Sequence, residues 1–295
     1  MMKILAIAKS AWREVIRQPA IWIVAGLTFV MILLFRYFTF FGLGEERSMI
    51  REMALASMTL AGLIVAILGS STVLTNEQEK RTLLTLLSKP ILRNQIITGK
   101  FLGIAFSVLV VFVPLTLVYV GAVCWSEATG HRFSSITVSE RVVSFFSDGA
   151  AWNLVKASVL SYAGVAVMAA ISIAISTRMP MIVNAVLSIA VFVLGHQAGA
   201  ILALLYPKTS NGTLLIEQTD SLGFFGILMQ HPLLWAGKII YGIVPDLEAF
   251  NAGEIVAANQ LIPGVYVAKA LGYAVLYIAF ALLIAQVFFR RREFA

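Results

Sequence analysis

The side chains that most often carry chemistry are few in this chain and far apart. His131, His196 and His231 are its three histidines, and none belongs to an H-E-x-x-H pattern. Cys124 is the single cysteine, so the residues offer neither a zinc cluster nor an intrachain disulfide. It lies in an apolar run and reads as a small packing residue. No G-x-S-x-G nucleophile elbow is present. The Gly-Lys pairs, Gly99-Lys100 and Gly237-Lys238, are followed by Phe and Ile rather than Ser or Thr, so the chain has no phosphate-cradling loop of its own. Asp148, Asp220, Asp246 and Glu248 are the acids a membrane enzyme acting on lipids or glycans would use, but they show no recognised catalytic spacing. Asn211-Gly212-Thr213 fits a glycosylation acceptor and reads more simply as a turn.

Three further polar places fall inside apolar runs. Arg36 is near enough to the end of its run for the guanidinium to snorkel to the surface. His196 and Gln197, after Gly195, could line a path through a membrane, and so could Asn184. The simpler reading is that they bond to a neighbouring helix. None of the apolar runs carries a buried Asp or Glu, which argues against proton- or sodium-coupled chemistry.

The elements that position these residues follow from composition. The chain has 295 residues, 60% hydrophobic and 13% charged, with a net charge of +7. The apolar residues are gathered into long runs, the mark of a membrane protein. A spanning helix needs about 20 mostly apolar residues. Six such spans are expected, at 20–41, 53–75, 100–125 (with Pro114 as a kink), 152–176, 181–206 and 265–289. Lys and Arg crowd onto one side: Lys3, Lys9, Arg13 and Arg17, the 76–100 connection, Arg178 and the Arg290–Arg292 tail. The opposite side carries Arg51, Arg141 and Lys156, among others, spread over longer segments. The positive-inside rule then predicts an inner or plasma membrane protein with both termini in the cytoplasm. The outer connections are 126–151 and 207–264. Apolar pieces of the second, broken by His231-Pro232 and Pro245, read as interfacial or re-entrant, with two extra spans as the competing reading.

The N-terminus shows no cleavable signal, because its cations are spread through residues 3–17 with no compact apolar core and small-residue cleavage site. Residues 1–18 instead form an amphipathic helix. Ile4, Leu5, Ala8, Ala11, Trp12, Val15 and Ile16 share one face and the four cations share the other, as suits a helix lying on an anionic leaflet. Pro19 then turns the chain inward.

The connection 76–100 reads NEQEKRTLLTLLSKPILRNQIITGK. Asn76 is a candidate helix cap and Glu79 its partner, and a helix over 77–88 would stop before Pro90. Its charged first turn is followed by Leu83, Leu84, Leu86 and Leu87. Such a helix on the cytoplasmic face is shaped to dock into something.

These residues resemble a family. Glu77, Glu79, Thr82, Leu83, Leu86, Leu87, Ser88, Pro90, Arg93, Gly99 and Lys100 stand in the order of the signature of ABC-2 type permease subunits of ABC transporters. The N-terminal helix resembles that family's elbow helix. The motifs at 244–251 and 289–294 are similar to the subgroup that includes the copper-site maturation permease of nitrous oxide reductase. Arg81 departs from the pattern, standing where many members have Gly. The resemblance implies that 76–90 is a cytoplasmic coupling helix that docks on a separate ATP-binding subunit. Leu83, Leu86 and Leu87 would make the apolar contact, and Glu77, Glu79, Lys80, Arg81 and Thr82 the rest of the docking element.

The expectation is an all-α integral membrane protein. It has one transmembrane domain over 1–295, with six spans, an elbow helix and a coupling helix. It would be the permease of an ATP-driven exporter, not itself an enzyme, with no bound cofactor and with ATP held by the partner subunit. Its partners would be that subunit, a second permease copy or paralogue, and the bilayer, without nucleic acid. The alternatives are a membrane scaffold that does not transport and, behind it, the lipid or glycan enzyme.

Overall fold

Alanine, glycine and serine dominate the helix Ala150–Ser176, and this decides the architecture. Small residues let helix backbones approach closely where lipid offers no hydrophobic driving force between helices. In the computed structural model this helix is the centre of the bundle. In chain order the described elements are α1 (Met2–Ile16), α2 (Pro19–Leu34), α3 (Glu46–Glu79), α4 (Arg93–Thr129), α5 (Val138–Ser147), α6 (Ala150–Ser176), α7 (Met181–His196), a 3-10 turn (Glu248–Phe250), α8 (Gly253–Ala257) and α9 (Gly264–Arg290). The structure describes residues 2–35, 46–79, 93–129, 137–197 and 244–290. It divides into two compact units, Met1–Ser188 with Phe250–Ala295, and Ile189–Ala249.

Within the first unit α6 packs on α3, α4 and α9. Of its most apolar stretch 78% is buried, against 22% for α9. A helix apolar all round and buried all round belongs in a core, whereas α9 turns Val265, Leu276 and Leu283 outward. Tyr162 on α6 donates to the Ala105 carbonyl of α4 at 3.1 Å, and its ring meets Phe112 edge-on.

Among the described residues four helices are long and apolar enough to cross a membrane: Ser48–Leu74, Asn94–Thr129, Ala150–Ser176 and Gly264–Phe289. The pair α1 and α2, bent by 65°, makes a fifth candidate if it counts as one span. α7 is apolar but shorter, with 16 residues. The expected first and fifth spans are therefore described only as far as Phe35 and Gln197, and their remaining residues lie outside the described ones.

Helix lengths differ from the sequence reading. α3 has 34 residues and α4 has 37, about 51 and 55 Å at 1.5 Å per residue. Both exceed a hydrocarbon core of about 30 Å. α3 runs on through Asn76 to Glu79, so Asn76 starts no new helix. Extending a formed helix adds one hydrogen bond per residue, whereas starting another needs a costly nucleus. α4 runs unbroken through Pro114. The outer connection 126–151 contains α5, set by a capping box in which Thr137 N donates to Glu140 Oε2 at 3.1 Å.

α1 is helical as expected, but its inner face rests on protein. Glycines 99 and 103 of α4 leave a groove for it. A Cβ on Gly103 would fall 2.5 Å from the Ala8 carbonyl oxygen and 2.7 Å from the Ala11 Cβ. One on Gly99 would fall 2.9 Å from the Ile7 Cβ. Two glycines four apart place both gaps on one helix face. Ala11 and Val15 are buried there, and Trp12 meets Phe106 edge-on at 5.3 Å. Lys3, Lys9 and Arg13 stay exposed. Leu5, expected on the apolar face, is 65% exposed. The turn into α2 is held by Gln18 Nε2 donating to Thr72 Oγ1 at 2.5 Å and by Trp22 Nε1 donating to the Ile16 carbonyl at 2.9 Å.

Candidate functional site

Two polar constructions stand at opposite ends of the first unit. At the α1 end, α3 and α4 run side by side. Lys100, 2% exposed, donates from Nζ to the Val73 carbonyl at 3.1 Å. Beyond this level α3 continues six residues to Glu79, and α4 begins seven residues earlier, at Arg93. That is about 9 and 10 Å of helix. Glu79 and Arg93, which flank 80–92, thus end two helices that overrun the level of the buried lysine. Glu77 and Glu79 lie in the last turn of α3. Lys80, Arg81, Thr82, Leu83, Leu86 and Leu87 lie outside the described residues.

Near the same end, Asn184 of α7 is fully buried. Its Nδ2 donates to Ser71 Oγ at 2.7 Å and to Ser172 Oγ at 3.0 Å. Ser188 Oγ donates to its Oδ1 at 3.3 Å. Ser70 and Ser172 share a hydroxyl hydrogen bond of 2.5 Å. The cluster ties α3, α6 and α7 together through polar atoms that hydrocarbon could not satisfy. Asn184 spends its amide on these neighbours.

His196 and Gln197 are not brought to Asn184, for they close the other end of α7. The His196 ring lies 4.4 Å from that of Phe192, and its Nδ1 is buried with no hydrogen-bond partner among the described residues. Gln197 is exposed just past the helix. Gly195 explains the nearby Val-Pro-Asp-Leu motif. Leu247 N donates to the Gly195 carbonyl at 3.2 Å, and a Cβ on Gly195 would stand 2.8 Å from the Leu247 side chain and the Pro245 carbonyl. Only glycine lets this segment sit on the last turn of α7. Asp246 caps its own turn, accepting from Glu248 N at 3.1 Å.

The sequence reading missed the second construction. At the α5 end, Arg51 of α3 is 8% exposed. It pairs with Glu127 of α4 and donates from Nη1 to Asn259 Oδ1 at 2.8 Å and to the Val256 carbonyl at 3.2 Å. Tyr119 Oη donates to the Arg51 carbonyl at 3.1 Å. Asn153 Nδ2 donates to the Gln260 carbonyl at 2.7 Å, while its Oδ1 accepts from Ile262 N at 2.8 Å. Lys156 Nζ donates to the Ile262 carbonyl at 3.0 Å. Residues 256–262 are thereby strapped across α3 and α6, with Asn259 in the left-handed region at φ 56°. Beside the strap lies a cavity of about 560 Å³. Singly, Arg51, Glu127 and Asn153 look like ordinary outer-side polar residues, and no spacing in the sequence links them.

Among the described residues no group of three His, Cys, Asp or Glu could hold a metal ion. Asp148 lines the cavity, and Asp220 lies outside the described residues. No curated protein matches the chain. The family model described as ABC-2 family transporter protein matches residues 5–294, nearly the whole length. With its long apolar helices and the signature around Glu77 to Lys100, the chain belongs to the ABC-2 family of transporter proteins, a multi-pass membrane component of an ABC transporter rather than a catalyst by itself.

Proposed function

We propose that this chain is the permease of an ATP-driven exporter, working with a separate ATP-binding subunit. Residues 76–90 dock on that subunit, with Leu83, Leu86 and Leu87 as the apolar contact and Glu77, Glu79, Lys80, Arg81 and Thr82 completing the element. ATP is bound by the partner, and two permeases, identical or paralogous, complete the transporter. The chain crosses the inner or plasma membrane six times, both termini are cytoplasmic, and α1 is the elbow. The motifs at 244–251 and 289–294 are similar to those of the copper-site maturation subgroup, and that likeness supports assigning the chain there.

The observation that carries the reading is the overrun of α3 and α4. Helices joined at Val73 and Lys100 and extended to Glu79 and Arg93 are suited to pass motion from a docked subunit into the bundle. The exposed cations of α1 at the same end agree with a cytoplasmic placement. Exporter direction rests on the family resemblance.

The test is co-purification in mild detergent from the native cell, comparing wild type with Leu86→Asp. A Walker-motif ATPase should accompany the wild type and be lost from the variant. Its absence from the wild type under every nucleotide condition overturns the reading and favours the scaffold.

A further inference from the structure

Between α4, α5 and α6 lies a cavity of about 640 Å³ that neither polar construction uses. Leu117 and Gly121 of α4 form one wall and Val155 of α6 the other, while Val142 and Phe146 of α5 stand at one end. A second cavity, of about 280 Å³, shares Thr116, Leu117 and Val155 with the first and carries it on to Leu109 and Tyr162. The two make one groove between α4 and α6. From Leu109 to Trp125 it follows α4 for about 24 Å at 1.5 Å per residue. That exceeds half of a hydrocarbon core of about 30 Å.

The groove asks for hydrocarbon. Among the described residues no charged side chain lines it. Its hydroxyls already have acceptors in their own bundle. Thr116 Oγ1 donates to the Phe112 carbonyl at 2.8 Å, Ser158 Oγ to the Leu154 carbonyl at 3.0 Å and Tyr162 Oη to the Ala105 carbonyl at 3.1 Å. Water would find few partners there. A Cβ on Gly121 would meet no atom within 4 Å. Glycine in mid-helix is unfavourable relative to alanine, and no described neighbour comes close enough to require one. The gap it leaves opens into the groove.

The surroundings name the occupant. Leu109, Val113, Leu117 and Trp125 are exposed along one α4 stripe, so the groove is continuous with the surface this multi-pass protein presents to lipid. Trp125, near the end of one candidate span, and Trp152, near the start of the next, are both exposed at the α5 end. Tryptophans in such places sit at headgroup level. Spread from Thr116 to Ala128, about 18 Å of helix, a volume of about 640 Å³ gives a cross-section of about 35 Å², under half that of a helix about 10 Å across. A helix of a second copy is too wide for it, and a single hydrocarbon chain is not.

We infer that the groove holds one acyl chain of a phospholipid from the leaflet on the α5 side. Its headgroup lies level with Trp125 and Trp152, and its tail runs between α4 and α6 toward Tyr162. The inference rests on the membrane placement of the chain and not on the docking of an ATPase.

The test puts the full chain in phosphatidylcholine vesicles containing a trace of phosphatidylcholine with a diazirine on one acyl chain. After illumination, adducts are mapped by peptide mass spectrometry. Leu276 and Leu283 of α9, which face lipid without a groove, are the internal reference. Adducts at Leu117, Gly121 and Val155 should exceed those on the reference by about tenfold, as for a held chain rather than an exchanging one. Gly121→Phe fills the groove without meeting protein and should bring them down to the reference level. The same variant should lose the phospholipid that wild type retains through purification in mild detergent. Equal labelling of groove and reference means ordinary surrounding lipid and overturns the inference, as does unchanged labelling in Gly121→Phe. Groove adducts missing while a bismaleimide joins Cys124 of two chains would seat a second copy there and overturn it too. None of these outcomes touches the ATPase test above.

Discussion

Lys100 Nζ of α4 and the Val73 carbonyl of α3 lie 3.1 Å apart in a place with almost no solvent. Val73 is in mid-helix, so its carbonyl serves the lysine as well as its own helix, and the ammonium joins two helices below their overrunning ends. Hydrogen bonds to charged groups are the stronger ones, and the lysine stem is also packed. Lys100→Ala should lower stability by about 2 kcal/mol. Thermal unfolding in detergent reads this, and an unchanged midpoint would mean that the bond joins nothing of consequence.

Gly103 sets the approach of α1. A valine there would drive its Cβ into the Ala8 carbonyl, 2.5 Å away, and overpacking of this kind costs about 1–3 kcal/mol. The helix should lift. In a Cys124→Ala background, Ala11→Cys should be protected from a maleimide while Gly103 is kept and should label readily in Gly103→Val. Equal protection in both would show that α1 is held by other contacts.

Asn184 and Ser71 share a 2.7 Å hydrogen bond inside the α1-end cluster. Interhelical hydrogen bonds in membrane proteins average about 0.6 kcal/mol in double-mutant cycles. Asn184→Ala should cost about 1 kcal/mol, because several partners lose a bond at once. The cycle with Ser71→Ala should return a coupling near the average. Strict additivity would deny the pair.

Among the described residues Arg51 forms an ion pair with Glu127 while its side chain is only 9% exposed. Removing Glu127 leaves a buried guanidinium with only neutral acceptors. Glu127→Leu should therefore cost about 3 kcal/mol, at the low end for a broken buried pair because the glutamate is partly exposed. The double variant Arg51→Met with Glu127→Leu should recover most of that loss, since an apolar pair replaces the ion pair without leaving a charge behind. Chemical unfolding of the three variants decides it. A double variant worse than the single one would mean that the bonds of Arg51 to Val256 and Asn259 outweigh the ion pair.

Glu79→Lys and Leu86→Asp test the docking proposal from its polar and apolar sides. Each should abolish nucleotide-driven transport and association with the ATPase, while the purified chain keeps its helical content. Wild-type association and transport in either variant would sink the assignment of 76–90.

Much of the fold was legible because a bilayer imposes a length. The long apolar runs around Ser48–Leu74 and Gly264–Phe289 could be read from hydropathy alone. The α1 pattern was legible too, with Lys9 and Arg13 opposite Ala11 and Val15. Its partner was not, for an apolar face fits lipid and protein equally, and only the gaps at Gly99 and Gly103 choose between them. The α5 helix could have been found from Thr137 and Glu140, a capping box passed over inside what looked like a loop. The overrun of α3 past Asn76 was hidden for the opposite reason: a capping residue marks a helix start only when no helix already arrives there.

By itself the sequence determined that this is a helical membrane protein, roughly where its apolar helices lie, and through the motif from Glu77 to Lys100 which family it joins. Those are local properties, written in runs and spacings of neighbouring residues. The tertiary structure decided the rest. Arg51 meets Glu127 across 76 positions and Asn259 across 208, and Asn184 meets Ser71 across 113. Polar groups in an apolar bundle must find partners wherever packing puts them, and that choice belongs to the whole fold rather than to any stretch of the chain.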